Sequence, residues 1–108
     1  MDALKSILDQ SVGAVLSNLP VGEDNEFDTH DFITAFLNFN EPVYADLFVR
    51  YKDADGAFRA FHSAIAHYMN ALEKRGLIAK VCVGGKKKRV RSRNIKGNLT
   101  YNQVWVKL

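Results

Sequence analysis

The apolar positions of this chain fall into four helical stripes followed by two stretches of strict alternation. In residues 2–19, Leu4, Ile7, Leu8, Val12, Val15, Leu16 and Leu19 recur at steps of three and four, and Leu19-Pro20 ends the run. A second helix is predicted from Asp28 to about Leu37, with Phe32, Ile33, Phe36 and Leu37 pointing inward. Asp28 can cap it, Asp31 suits the dipole of its first turn, and Phe27 and Phe32 are placed as a hydrophobic staple. Asn40-Glu41-Pro42 opens a third helix with Asn40 as its cap, and Val43, Leu47, Phe48 and Tyr51 form its stripe. After a turn from Lys52 to Gly56, whose Asp53 and Asp55 read as turn residues, a fourth helix lies within Asp55 to Ile78. Its stripe is Phe58, Phe61, Ile65, Met69 and Leu72, and Gly76 is the left-handed stop. The opposite face carries Arg59, Ser63, Ala66, His67, Asn70 and Lys74, and no carboxylate. That face is either simply solvated or suited to lie on a phosphate backbone and offer donors to base edges.

After Gly76 the period changes to two. Leu77, Ala79, Val81 and Val83 share one face, as do Val104, Val106 and Leu108, which predicts two antiparallel strands over 77–83 and 102–108. Trp105, opposite Val104 and Val106, is expected to pack against a helix rather than stand exposed as a contact. The connecting loop starts at Gly84-Gly85 and has a second turn signal at Lys96-Gly97-Asn98. It carries Lys86, Lys87, Lys88, Arg89, Arg91, Arg93 and Lys96, seven cations in eleven residues. Such a run repels itself and gains nothing in a folded monomer, whereas neutralised phosphates release counterions; a disordered solvated loop or a nuclear-import signal is the alternative.

Composition narrows the classes. With 108 residues, 47% of them hydrophobic, the chain can bury a modest core. It divides into an amphipathic N-terminal helix (1–20) and a domain over 27–108, joined by an acidic linker from Val21 to Glu26. The seven aliphatic residues of the first helix either pack on the core or, in part, form a homodimer seam through residues 4–19. A single cysteine, Cys82, rules out an internal disulfide and a cysteine zinc site; it is expected to be a buried, inert thiol in a reducing compartment. His62 and His67 are five apart, do not share a helix face, and have no nearby carboxylate or thiol, so no metal site is expected. There is no phosphate-cradling glycine loop and no nucleophilic triad signature, which predicts neither cofactor nor catalysis. No apolar run reaches membrane-spanning length and no signal-peptide pattern opens the chain, so a cytoplasmic protein is expected, nucleoid-associated if bacterial and nuclear if eukaryotic. The net charge of +3 hides a strong polarity: residues 1–55 hold three Lys/Arg against eleven Asp/Glu, a balance of −8. Residues 56–108 hold twelve against one, Glu73, a balance of +11, which points to a polyanionic partner.

The segment Ala64 to Ile78 ends in Leu72-Glu73-Lys74-Arg75-Gly76-Leu77-Ile78, which resembles the end of a recognition helix running into the first wing strand. With the order helix, helix, helix, strand, basic loop, strand, roughly residues 28–108 resemble the winged helix-turn-helix superfamily. The turn before the fourth helix lacks the compact Ala-x-x-x-Gly pattern, and the loop from Gly84 to Thr100 is longer than a typical wing. The resemblance implies an α+β fold, a three-helix helix-turn-helix core with a C-terminal β-hairpin wing, here with an extra N-terminal helix. It also implies a helix in the major groove of duplex DNA and a wing on the backbone or minor groove. By position, Arg59, His62, Ser63, Ala66, His67 and Asn70 would face the groove, and the seven loop cations would contact phosphates. Asn70 on an adenine or Arg59 on a guanine would each contribute about 1–3 kcal/mol of discrimination. The implied function is sequence-tolerant or sequence-specific duplex DNA binding, in transcriptional regulation or as a replication or mobile-element accessory. A protein-interaction winged helix docking on a larger assembly, or structured-RNA binding, are the alternatives.

Overall fold

The computed structural model describes residues 3–22 and 24–108; the helix start expected at Asp2, and Glu23 of the linker, lie outside the described residues. Helix α1 (Ala3–Asn18) is followed by β1 (Glu26–Asp28), α2 (Thr29–Phe39), α3 (Glu41–Val49) and α4 (Ala57–Lys74). Five strands complete the chain: β2 (Ile78–Lys80), β3 (Cys82–Val83), β4 (Lys86–Lys87), β5 (Arg89–Arg93) and β6 (Leu99–Lys107). Helices on an antiparallel sheet make the fold α+β.

The helix ends follow from local chemistry. At α2 the Asp31 amide donates to Asp28 Oδ1 and the Asp28 amide donates to Asp31 Oδ2, each at 2.9 Å, while Phe27 and Phe32 are both buried beside them. Asn40 precedes α3 as expected, but its side chain makes no capping bond; Pro42 supplies the preset first-turn geometry instead. Helix α4 ends on Gly76 at φ 76°, where the Gly76 amide bonds the Glu73 carbonyl and the Leu77 amide reaches back to Leu72. That pair of bonds satisfies two of the last orphan carbonyls and requires the left-handed residue.

Strand β6 is the spine of the sheet. Its inner half lies between β1 and β2, in the order β1-β6-β2, and its outer half pairs with β5 from Arg89↔Gln103 to Arg93↔Leu99. Both backbone groups of Val104 serve the same edge: its carbonyl accepts from Val81 and its amide donates to Lys88, each at 3.0 Å. Strands β2 and β5 therefore run as one interrupted strand along that edge, and the small β3–β4 hairpin is an excursion closed by the Lys88 amide on the Val81 carbonyl at 2.8 Å. Gly84 and Gly85 turn it with φ of 60° and 79°, the positive values a two-residue hairpin loop needs.

Three expectations need correction here. The segment 84–100 is not a loop but mostly strand, because Arg89-Val90-Arg91-Ser92-Arg93 alternates and has β6 to pair with. The end of the acidic linker is strand β1, whose Phe27 pairs with Trp105. Cys82 is exposed rather than buried, since the excursion carries it away from the helix-covered sheet.

One hydrophobic cluster unites the elements. Leu8, Val12, Val15, Leu16 and Leu19 from the first helical segment join Phe32 and Phe36 of α2, Leu47 of α3, Phe61, Ile65 and Met69 of α4, and Ile78 and Trp105 of the sheet. Each such side chain contributes about 1.5–3 kcal/mol on burial. Polar contacts fix α1 as well: Tyr68 donates to Asp9 Oδ1, Arg75 reaches the same oxygen at 2.9 Å, and Lys107 Nζ bonds the Leu16 carbonyl at 2.9 Å. The hydrogen bond from Tyr68, followed by the neighbouring cations, holds the Asp9 carboxyl below the usual range. The stripe considered as a homodimer seam is thus used within the molecule, and the segment from Leu4 to Leu19 shares a core with 27–108.

Candidate functional site

Helix α4 and the β5–β6 hairpin flank a groove of ≈ 610 Å³. Arg59, Ser63, Ala66, His67 and Asn70 line it from α4, and Lys80, Arg89, Tyr101, Gln103 and Trp105 from the sheet. Thr29 and His30 of α2 also line it, and among the described residues no Asp or Glu does. Arg59, Ser63 and His67 form an exposed row at four-residue steps, so they stand one above another on α4. Ala66 and Asn70 are half-buried beside that row.

His62 does not belong to the exposed set. It lies four residues after Phe58, at the edge of the apolar stripe, and its ring is buried against Phe58 with centroids 4.1 Å apart. Its Nε2 shares a 2.5 Å hydrogen bond with the Tyr44 hydroxyl. Burial, then the fields of His30 and Lys96, pushes its pKa down to about 4, so the ring is neutral at neutral pH. Burial likewise raises the Tyr44 hydroxyl above its ordinary range. Of this pair, His62 forms part of the wall of the groove.

A polar network positions the hairpin. The His30 amide donates to Asn102 Oδ1 at 3.1 Å, while its ring bonds Ser92 Oγ at 2.9 Å and Thr100 Oγ1 at 3.1 Å. Asn102, itself buried, donates to the Val90 carbonyl and to Ser92 Oγ. Trp105 is packed as expected, and its indole N–H donates to Thr29 Oγ1 at 3.0 Å. The first turn of α2 therefore holds both halves of the hairpin. His30, Ser92 and Asn102 carry no signal in the sequence because each is an ordinary polar residue until the fold brings them together.

The cations divide into two groups. Lys80 bonds Glu73 through side chain and backbone, donates to Asn70 Oδ1 at 2.9 Å, and lies 4.9 Å from the centroid of the Trp105 ring. Those hydrogen bonds hold the Glu73 carboxyl below its usual range and remove the one acid of the cationic half from play. They also engage the acceptor of Asn70, the residue expected to read adenine. Lys88 is paired with Glu26 at 3.0 Å, Arg93 donates to the Gly97 carbonyl at 2.7 Å, and Lys96 lies over Phe58 at 4.5 Å. Arg91 stands over the exposed Tyr101 ring. Arg59, Lys86, Lys87 and Arg89 are exposed and have no carboxylate within ion-pair distance among the described residues.

Among the described residues no three His, Cys, Asp or Glu side chains are grouped to hold a metal, and no helix is long and apolar enough to cross a membrane. The chain matches no protein-family model, no curated protein and no solved structure.

Proposed function

We propose that this protein binds duplex DNA with a winged helix-turn-helix arrangement, in transcriptional regulation or as an accessory of replication or mobile elements. The carboxylate-free groove between α4 and the hairpin carries the reading. One sugar-phosphate strand runs along it, neutralised by Arg59 and Arg89. The row Arg59, Ser63 and His67 then faces the major groove, and the hairpin follows the backbone toward the minor groove. Support comes also from the hairpin residues Arg89, Thr100 and Tyr101, which line the same groove as α4, and from the +11 balance of residues 56–108.

Fluorescence anisotropy with a random duplex, titrated with salt, tests the reading. Affinity should fall linearly on a log–log plot, and each phosphate contact removed should flatten the slope by about 0.9. Lys86→Gln, Lys87→Gln and Arg91→Gln together should lower it by about 2.7. Lys88→Gln should leave it nearly unchanged, because Lys88 is already paired with Glu26. Equal slopes for all variants, tighter binding to duplex RNA, or no binding at low salt would refute the proposal.

A further inference from the structure

The β5–β6 hairpin ends in a self-contained turn. The Asn94 amide donates to the Asn98 carbonyl at 2.9 Å, the Gly97 amide to the Asn94 carbonyl at 2.8 Å, and the Asn98 amide to Asn94 Oδ1 at 3.1 Å. Arg93 closes it from the side through the Gly97 carbonyl. This tip presents apolar side chains to water: Ile95 is 38% exposed, Leu99 46%, and Tyr101, two residues along β6, 65%. None of the three belongs to the core cluster, so the fold gains little from their apolar character. The pairing register sets Leu99 opposite Arg93 and Tyr101 opposite Arg91. Alternation then places Arg89, Arg91 and Arg93 on one face of β5, so a row of cations leads up to the apolar tip.

We infer that this tip is a wedge: Ile95 and Leu99 enter a base-pair step of duplex DNA from the minor groove and kink the helix, while Arg91 and Arg93 neutralise the flanking phosphates. The inference rests on the duplex-binding reading above and adds an activity to it, the bending of DNA. Apolar residues at the end of a basic ribbon match the chemistry of a partly opened base step, which offers stacked apolar surface between two lines of phosphate. The polar groups of the tip are turned inward, Asn94 and Arg93 onto the turn itself and Lys96 over Phe58, whereas Ile95 and Leu99 are exposed to water.

The test uses the full chain and a short duplex of random sequence labelled at both ends for energy transfer. Saturation with wild type should shorten the end-to-end distance by the amount expected of a kink of roughly 20–90°. Ile95→Ser with Leu99→Ser changes exposed side chains only; it should bind within about threefold of wild type, since phosphate contacts dominate affinity, and leave the duplex straight. Arg91→Gln should do the reverse, weakening affinity while preserving the bend at saturation. Binding without a distance change in wild type overturns the wedge and leaves duplex binding intact, whereas absence of binding removes both. If the double serine variant still bends DNA but no longer pellets with anionic phospholipid vesicles, the tip is a membrane foot and the wedge is wrong.

Discussion

His62 couples the wall of the groove to the acid stability of the whole fold. Its ring is 9% exposed and its pKa is held at about 4, against 6.5 for the ordinary side chain that the unfolded chain regains. A depressed folded-state value means that, between those limits, the unfolded chain binds more protons than the native one. Stability is therefore complete above about pH 6.5 and is lost as pH falls toward 4. A tenfold difference in proton affinity between the two states is worth about 1.4 kcal/mol, which gives a loss of about 2 kcal/mol between pH 7.5 and pH 5 from this group alone. Urea unfolding of wild type and His62→Gln at the two pH values isolates it. The substitution also disturbs packing on Phe58 and the bond to Tyr44, so the measured quantity is the change with pH and not the absolute stability. Wild type should lose about 2 kcal/mol more than the variant on acidification. An equal loss in the two proteins, or a His62 ring resonance titrating near 6.5, would refute the argument. Since the fields of His30 and Lys96 contribute to the depression, a polyanion in the groove should move that resonance's midpoint upward.

Two further substitutions probe how the elements are joined. Leu8→Glu places a carboxylate at a site 1% exposed in the shared core, so it should cost several kcal/mol and lower the thermal midpoint sharply. Sedimentation and circular dichroism decide the matter: a well-folded monomer derived from a wild-type dimer would show instead that α1 is a seam. Asn102→Ala removes the acceptor of the His30 amide and the donor to Val90, and should cost about 1–3 kcal/mol. Amide hydrogen exchange should then accelerate in β5 before α4, and uniform acceleration across the chain would argue against a local role for the network.

What is legible in the chain, and what is not, depends on how far apart the partners lie. The stripe of α4 needs only its own residues, and the Gly76 stop needs only its own φ, so both are readable without the fold. Strand β1 is not, because Phe27 and Asp28 already have complete local explanations as staple and cap, yet they also pair with Trp105 and Val104 more than seventy residues later. Strand β5 is hidden by its cations: Arg89-Val90-Arg91-Ser92-Arg93 alternates plainly, but its inward polar residue, Ser92, makes sense only beside His30 and Asn102. His62 is misplaced for a different reason, since a residue at the edge of a helical stripe is assigned to a face by its neighbours in space and not by its position in the repeat. The consequence for function is quantitative. Counting charge along the chain treats twelve cations as equally available, but Arg75, Lys80 and Lys88 are held by carboxylates and Lys107 caps α1. A salt slope close to the number of unengaged cations, rather than to the total, is what this division of labour requires.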